Sequence, residues 1–276
     1  MRCLSNHSDC DDDRLLTRRN LLELTAVGSL AALGGCLGAG TPPDTFELDT
    51  RTNGRTRRIE TTVDGRRTLF TASVPASEYT AAKRRDRSFR DAVHQARSSS
   101  VIDALGQQIG DRFSTSADRF VAAQGIVDSL QYLHDDTTSP STEYVRYPVE
   151  TLVEGVGDCE DLAILLLGLL SSAPLGCRTG LLVPKGHVAV LVALADVPES
   201  LLVPDPLTVT VAGVEYVYVE SSARHPPGSW ANDHGERPLL AAYRGCWYPL
   251  DTEAVVEELG DAIAERRLGE ATQYFR

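Results

Sequence analysis

The chain has 276 residues and a hydrophobic content of 42%, enough to build a real core in one large domain or two small ones. Its net charge of −12 excludes the basic face that a nucleic-acid binder needs, and only two of its 27 basic residues are lysines, Lys83 and Lys185. An acidic, lysine-poor surface stays soluble in concentrated salt and suggests a halophilic source, with a merely acidic protein as the plainer alternative. The six cysteines (Cys3, Cys10, Cys36, Cys159, Cys177 and Cys246) show neither CxxC spacing nor a cysteine/histidine cluster, so no metal site and no cofactor are expected.

The N-terminus reads as an address. A paired arginine, Arg18-Arg19, precedes a short apolar run that ends in Leu33-Gly34-Gly35-Cys36. Thr17 to Leu22 resembles a twin-arginine export signal, and Leu33 to Cys36 resembles a lipobox, in which the cysteine receives a lipid. The expected plan is a signal peptide over 1–35, lipidation at Cys36 and a Gly/Pro-containing tether over 36–45, anchoring the chain to the outer face of the cell membrane. An uncleaved N-terminal membrane helix is the alternative. Glu23 and the Gly/Ala-rich composition make Leu21–Leu37 a poor span.

From Thr45 to Val74 polar and apolar residues alternate around Asn53-Gly54 and Asp64-Gly65, which predicts two or three strands joined by hairpins. Residues 77–97 are predicted helical and strongly basic (Lys83, Arg84, Arg85, Arg87, Arg90), with a solvated helix face preferred over contact with an anionic surface. Helices are predicted at 101–113 and 117–133, the second with Phe120, Gln124, Val127, Leu130 and Gln131 at helical spacing. A polar loop from Asp135 to Ser141 follows. Val255, Val256, Leu259 and Ile263 predict a closing helix within 251–276.

The chemistry gathers after Tyr147. A glycine-containing loop, Gly155-Val-Gly157-Asp158, runs into the apolar stretch Leu162–Leu170 with Cys159 at its first turn. A helix N-terminus offers unpaired amides and a positive dipole end that favour a thiolate and can later hold an oxyanion. Asp158, Glu160 and Asp161 oppose this by raising the thiol pKa. A nucleophilic cysteine then needs a histidine base, and His187, after Gly186 at the head of a predicted half-buried strand, is the candidate. Glu220, ending the alternating stretch Val214–Val219, would orient the imidazole, with Asp205 as the competitor.

Tyr147-Pro148-Val-Glu150-Thr151-Leu152 through Gly157-Asp158-Cys159-Glu160-Asp161, then Gly186-His187, then Tyr216-Val-Tyr218-Val-Glu220-Ser221-Ser222, resembles the transglutaminase-like proteins of archaea and bacteria over roughly residues 115–245. The resemblance implies an α+β, papain-like core in which the nucleophile helix packs on an antiparallel sheet. It also implies Cys159 as nucleophile, His187 as base and Glu220 as orienting acid. The expected organisation is N-terminal strands and helices over 46–113, a transglutaminase-like domain over 114–250 and a C-terminal helix over 251–276. The side-chain donor of the oxyanion hole is left open, with Gln124 and Gln131 nearby. Cys177 and Cys246 are structural and form a candidate disulfide.

Three functions follow as expectations. In the first, Cys159 attacks an amide of a protein or peptide and water or an amine resolves the thioester, giving a peptidase, an amidase or a crosslinking enzyme. In the second, the fold is a non-catalytic binding module of the cell envelope. In the third, Cys159, Asp158 and His187 hold a metal, which no regular ligand spacing supports.

Overall fold

Alternating side chains in the first part of the chain build a sheet rather than isolated hairpins. The computed structural model describes residues 46–49, 54–135, 144–183, 187–211, 213–229, 241–243 and 247–249. The expected signal peptide, Cys36, the expected tether, Cys246 and the predicted C-terminal helix lie outside them. Strands β1 (Phe46–Asp49), β2 (Gly54–Val63) and β3 (Arg66–Pro75) pair antiparallel in the order β1-β2-β3. The β2–β3 turn uses Asp64 and Gly65, both at positive φ, as a tight hairpin requires.

Four helices follow: α1 (Ala76–Arg84), α2 (Phe89–Ser98), α3 (Ser100–Arg112) and α4 (Ser116–Asp128). The single basic helix expected over 77–97 is therefore two. Arg85 and Ser88 are extended, and the Ser88 hydroxyl caps α2 by accepting from the Asp91 amide at 3.3 Å. The helix expected to reach Leu133 stops at Asp128. Gln131–Tyr132 instead forms strand β4, parallel to β5 (Val156–Gly157), with the Gln131 amide on Gly155 O and the Leu133 amide on Gly157 O, both at 3.0 Å. Between them lies α5 (Pro148–Glu154), which the sequence reading did not foresee.

Helix α6 (Cys159–Ser171) is apolar on every face and buried from Asp161 to Leu170. It packs against α2, α3, α4 and α5 on one side and against β6 (Thr179–Leu182) and β7 (Ala189–Ala193) on the other. A Cβ at Gly168 would sit 2.9 Å from the Ala96 carbonyl oxygen, so α2 and α6 meet almost backbone to backbone. The second sheet has the order β6-β7-β9-β8, all antiparallel, with β8 at Thr208–Val211 and β9 at Val214–Val219. Strand β7, expected half-buried, is buried at every position: Val190 and Val192 face the main core, Ala189, Leu191 and Ala193 a second cluster. A hairpin of β10 (Ala241–Tyr243) and β11 (Trp247–Pro249) ends the described chain, with β10 beside β6.

The architecture is α+β. Ile59, Phe70 and Ile109 belong to the same hydrophobic cluster as Ile164, Val190 and Val219, so the N-terminal strands and helices share one core with the elements carrying Cys159, His187 and Glu220. Charge joins them too. Arg87 Nη1 donates to both carboxylate oxygens of the fully buried Glu150 at 2.9 Å, and Glu154 accepts from Lys83 at 2.7 Å and from the Tyr79 hydroxyl at 2.9 Å. The solvated-face expectation holds for Arg84 and Arg85, which are exposed, whereas Lys83 and Arg87 tie α1 and the turn after it to α5. Among the described residues no helix is long and apolar enough to cross a membrane.

Candidate active site

The start of α6 is built by a reciprocal cap. Asp158 accepts from the Asp161 amide and Asp161 accepts from the Asp158 amide, each at 3.4 Å, so Cys159 opens the helix as its first residue. Asp161 is held in turn by Arg146, whose backbone amide lies 2.6 Å from Oδ1 and whose guanidinium lies 2.8 Å from Oδ2. The same guanidinium donates to Asp135 at 2.9 Å and to Glu154 at 3.1 Å, although Arg146 is only 1% exposed. One buried cation thus serves three carboxylates from three parts of the chain. Such a group is tolerated only when its donors are all matched.

The field around Cys159 is acidic. Burial first, then the charge of Asp158, pushes Asp161 up to about 8 against the opposing pull of Arg146. Burial, the Glu160 carboxylate and Asp135 push Asp158 up to about 9. Burial, Glu160 and Asp158 likewise hold the Cys159 thiol well above its ordinary pKa, opposed by the Val188 amide. The thiol donates to Glu160 Oε2 at 3.4 Å, so at rest it is neutral and directed at a carboxylate. Two sets of acidic groups, Asp158/Cys159/Glu160 and Asp135/Asp158/Asp161, bring their polar atoms within 4.8 Å of each other, close enough to converge on a cation. In the second set Arg146 already supplies positive charge.

His187 and Glu220 meet as expected from their places at the head of β7 and the end of β9. His187 Nε2 lies 3.1 Å from Glu220 Oε2, and both residues are buried. The same Oε2 accepts from the Tyr218 hydroxyl, while Oε1 accepts from the amides of Ser221 and Ser222 at 2.8 Å and from the Ser222 hydroxyl at 2.7 Å. Burial alone would raise the Glu220 pKa. The hydrogen bond and charge of His187, with the Tyr218 hydroxyl and the Ser222 amide, override it and hold the carboxyl well below the usual carboxylate range. An ionised carboxylate only accepts, so Nε2 carries the proton it donates and Nδ1 is the nitrogen that can take one.

The Val188 amide is the group that draws the Cys159 pKa down, and the helix that Cys159 opens packs on β7, the strand that His187 and Val188 lead into. Asp205, the competing acid, stands at φ 52° in an exposed turn, and Glu220 is the acid on His187. Of the two glutamines near the open oxyanion position, Gln124 is buried and donates to the His225 carbonyl at 3.2 Å, and Gln131 is exposed on β4. Tyr132 lies on β4 in register with Gly157; its phenol pKa is raised first by burial and then by the charges of Cys159, Asp158 and Glu160, and its ring meets His134 edge-on at 5.3 Å. Sequence reasoning passed over Tyr132 because it continues a helical spacing. It also passed over Arg146, whose one signal was a lone charge inside Tyr144-Val-Arg-Tyr-Pro.

Cys177 carries a free thiol, buried and pushed up to about 11 by that burial, and its candidate partner Cys246 lies outside the described residues. No family model and no curated protein matches the chain.

Proposed function

We propose that the chain is a transglutaminase-like acyl-transfer enzyme with a papain-like core, exported and held outside the cell by a lipid on Cys36. The observation that carries this reading is the convergence of three elements: the first turn of α6 with Cys159, the head of β7 with His187 and Val188, and the end of β9 with Glu220. Helix α6 lying on the antiparallel β6-β7-β9-β8 sheet supports it as well.

In this mechanism His187 Nδ1 takes the thiol proton as the Cys159 sulfur attacks a protein or peptide amide. Glu220 fixes the ring through Nε2 and stabilises the imidazolium. The tetrahedral intermediate collapses to a thioester, and the leaving amine takes the proton back from His187. Water then releases the acid, and hydrolysis is the favoured outcome over transfer to an amine. Iodoacetamide labelling of Cys159 in high salt tests the pair: His187→Ala slows it about 100-fold if His187 is the base. An unchanged rate sinks the assignment.

A second reading, a non-catalytic binding module of the cell envelope, is favoured by one observation, the neutral thiol turned onto Glu160. It predicts a slow, His187-independent labelling rate.

A further inference from the structure

Arg146, Arg87 and Lys83 are each held by carboxylates. Arg57 is not. It stands on β2, the central strand of the first sheet, in register with Phe46 on β1 and Ala72 on β3, so its backbone is fixed from both sides. Alternation puts its half-buried side chain on the face of β2 that carries the buried Ile59, Thr61 and Val63. Among the described residues its hydrogen-bond acceptor is the Val153 carbonyl oxygen, 3.2 Å from Nη2. Its Nε is buried with no partner.

The contact with Val153, in the last turn of α5, uses one of five N–H groups and meets no full negative charge. Burial lowers the pKa of Arg57 and Arg146 alike, but the carboxylates around Arg146 more than restore it, and nothing restores that of Arg57. Taking a cation out of water without a partner is costly, and this chain has 39 carboxylates against 27 basic residues from which to supply one. The backbone is nevertheless shaped around the guanidinium. Gly155 has φ 72°, and a Cβ there would lie 2.1 Å from Nη2 and 2.5 Å from Nη1, so any other residue would strike it.

Gly155 also begins the loop to the nucleophile. The four residues from Gly155 to Cys159 span at most about 14 Å. An extended peptide advances about 3.3 Å per residue, so a group held at Arg57 lies within about four residues of a carbonyl at Cys159.

We infer that Arg57, cradled by Gly155, binds a carboxylate side chain of the peptide substrate, about four residues from the carbonyl that Cys159 attacks. That the ligand is the substrate rests on the acyl-transfer reading; that it is a carboxylate rests on the guanidinium. A guanidinium edge pairs with a carboxylate through parallel N–H···O bonds, which fixes direction as well as charge. A chain of net charge −12 repels acidic peptides, and this fixed cation supplies the local attraction that admits one.

The test uses the wild-type protein and two blocked tetrapeptides that differ only in carrying a glutamate or a glutamine. Phenylglyoxal labelling of Arg57 and iodoacetamide labelling of Cys159 are read by peptide mass spectrometry, with the exposed Arg84 as the reference. The glutamate peptide should slow both labellings about 10-fold and the glutamine peptide neither, with Arg84 indifferent to both. Equal protection by the two peptides, or none, would overturn the inference, as would inorganic phosphate protecting Arg57 better than the glutamate peptide does. Protection of Arg57 without Cys159 would overturn the substrate assignment. The acyl-transfer reading fails on a different observation, a Cys159 labelling rate indifferent to His187→Ala, which leaves the Arg57 measurement unchanged.

Discussion

Replacing Glu220 by Gln removes one charge and nothing else of size, yet five donors converge on that carboxylate: His187 Nε2, the Tyr218 hydroxyl, two backbone amides and the Ser222 hydroxyl. A glutamine offers one acceptor oxygen in place of two, and its NH2 then faces groups that are themselves donors. With the Glu220 side chain 0% exposed, water cannot repair the mismatch. Removing one member of such a buried pair costs about 3 kcal/mol or more. The pH dependence gives a sharper check. The folded pKa of Glu220 lies below its ordinary value of 4.5, so its contribution to stability is present above pH 4.5 and is lost as the pH falls toward the depressed value. Urea denaturation in high salt should therefore show Glu220→Gln less stable than wild type by about 3 kcal/mol at pH 7. The gap should narrow steadily below pH 4.5. A gap that stays constant into the acid range would refute the reasoning, because the carboxylate would then contribute through shape alone.

Other outcomes follow from the acidic setting of Cys159. Glu160→Gln removes the negative charge beside the thiol while keeping an amide oxygen that can accept from it, so alkylation of Cys159 at neutral pH should accelerate; a slower rate would mean that Glu160 helps to ionise the sulfur. Arg146→Met leaves Asp135, Asp161 and Glu154 without their shared cation and should cost about 3–5 kcal/mol in urea denaturation, with Asp161→Asn in the same chain restoring part of it. Asp158 is raised from 3.8 to about 9 in the fold, so its proton stabilises the protein at low pH and the benefit drains away as the pH rises through that interval. Asp158→Asn keeps a capping side chain and should flatten the stability profile between pH 4 and 9, which thermal melts across that range would read.

The parts of the site visible in the sequence were those set by local chemistry. The glycine-containing loop Gly155–Asp158 ahead of an apolar run marks where α6 begins and places Cys159 there, whereas the Asp158/Asp161 cap that fixes the start emerges only in the fold. His187 and Glu220 stand at the edges of two alternating stretches, where a sheet presents side chains to a common end. Tyr132 was hidden by the helical spacing of Phe120, Val127 and Leu130, because what ends α4 is the parallel pairing of β4 with β5, a partner more than twenty residues away in sequence. Arg146 was hidden for a related reason: its burial is made acceptable by Asp135, Glu154 and Asp161, none of them its immediate neighbour. The basic stretch at 83–90 reads as a solvated face until α5 supplies Glu150 and Glu154, two carboxylates that no local pattern ties to it.

The Arg146 cluster also bears on the range of salt in which the site can hold its shape. At about 1 M salt the Debye length is near 3 Å, so mobile ions blunt the attraction between exposed partners such as Arg67 and Glu60. Arg146 and Asp161 are 2.8 Å apart, with their side chains 1% and 0% exposed, and no ion atmosphere can enter between them. Ionic strength can therefore retune the outer charge of this acidic chain while the groups that seat the first turn of α6 stay where they are.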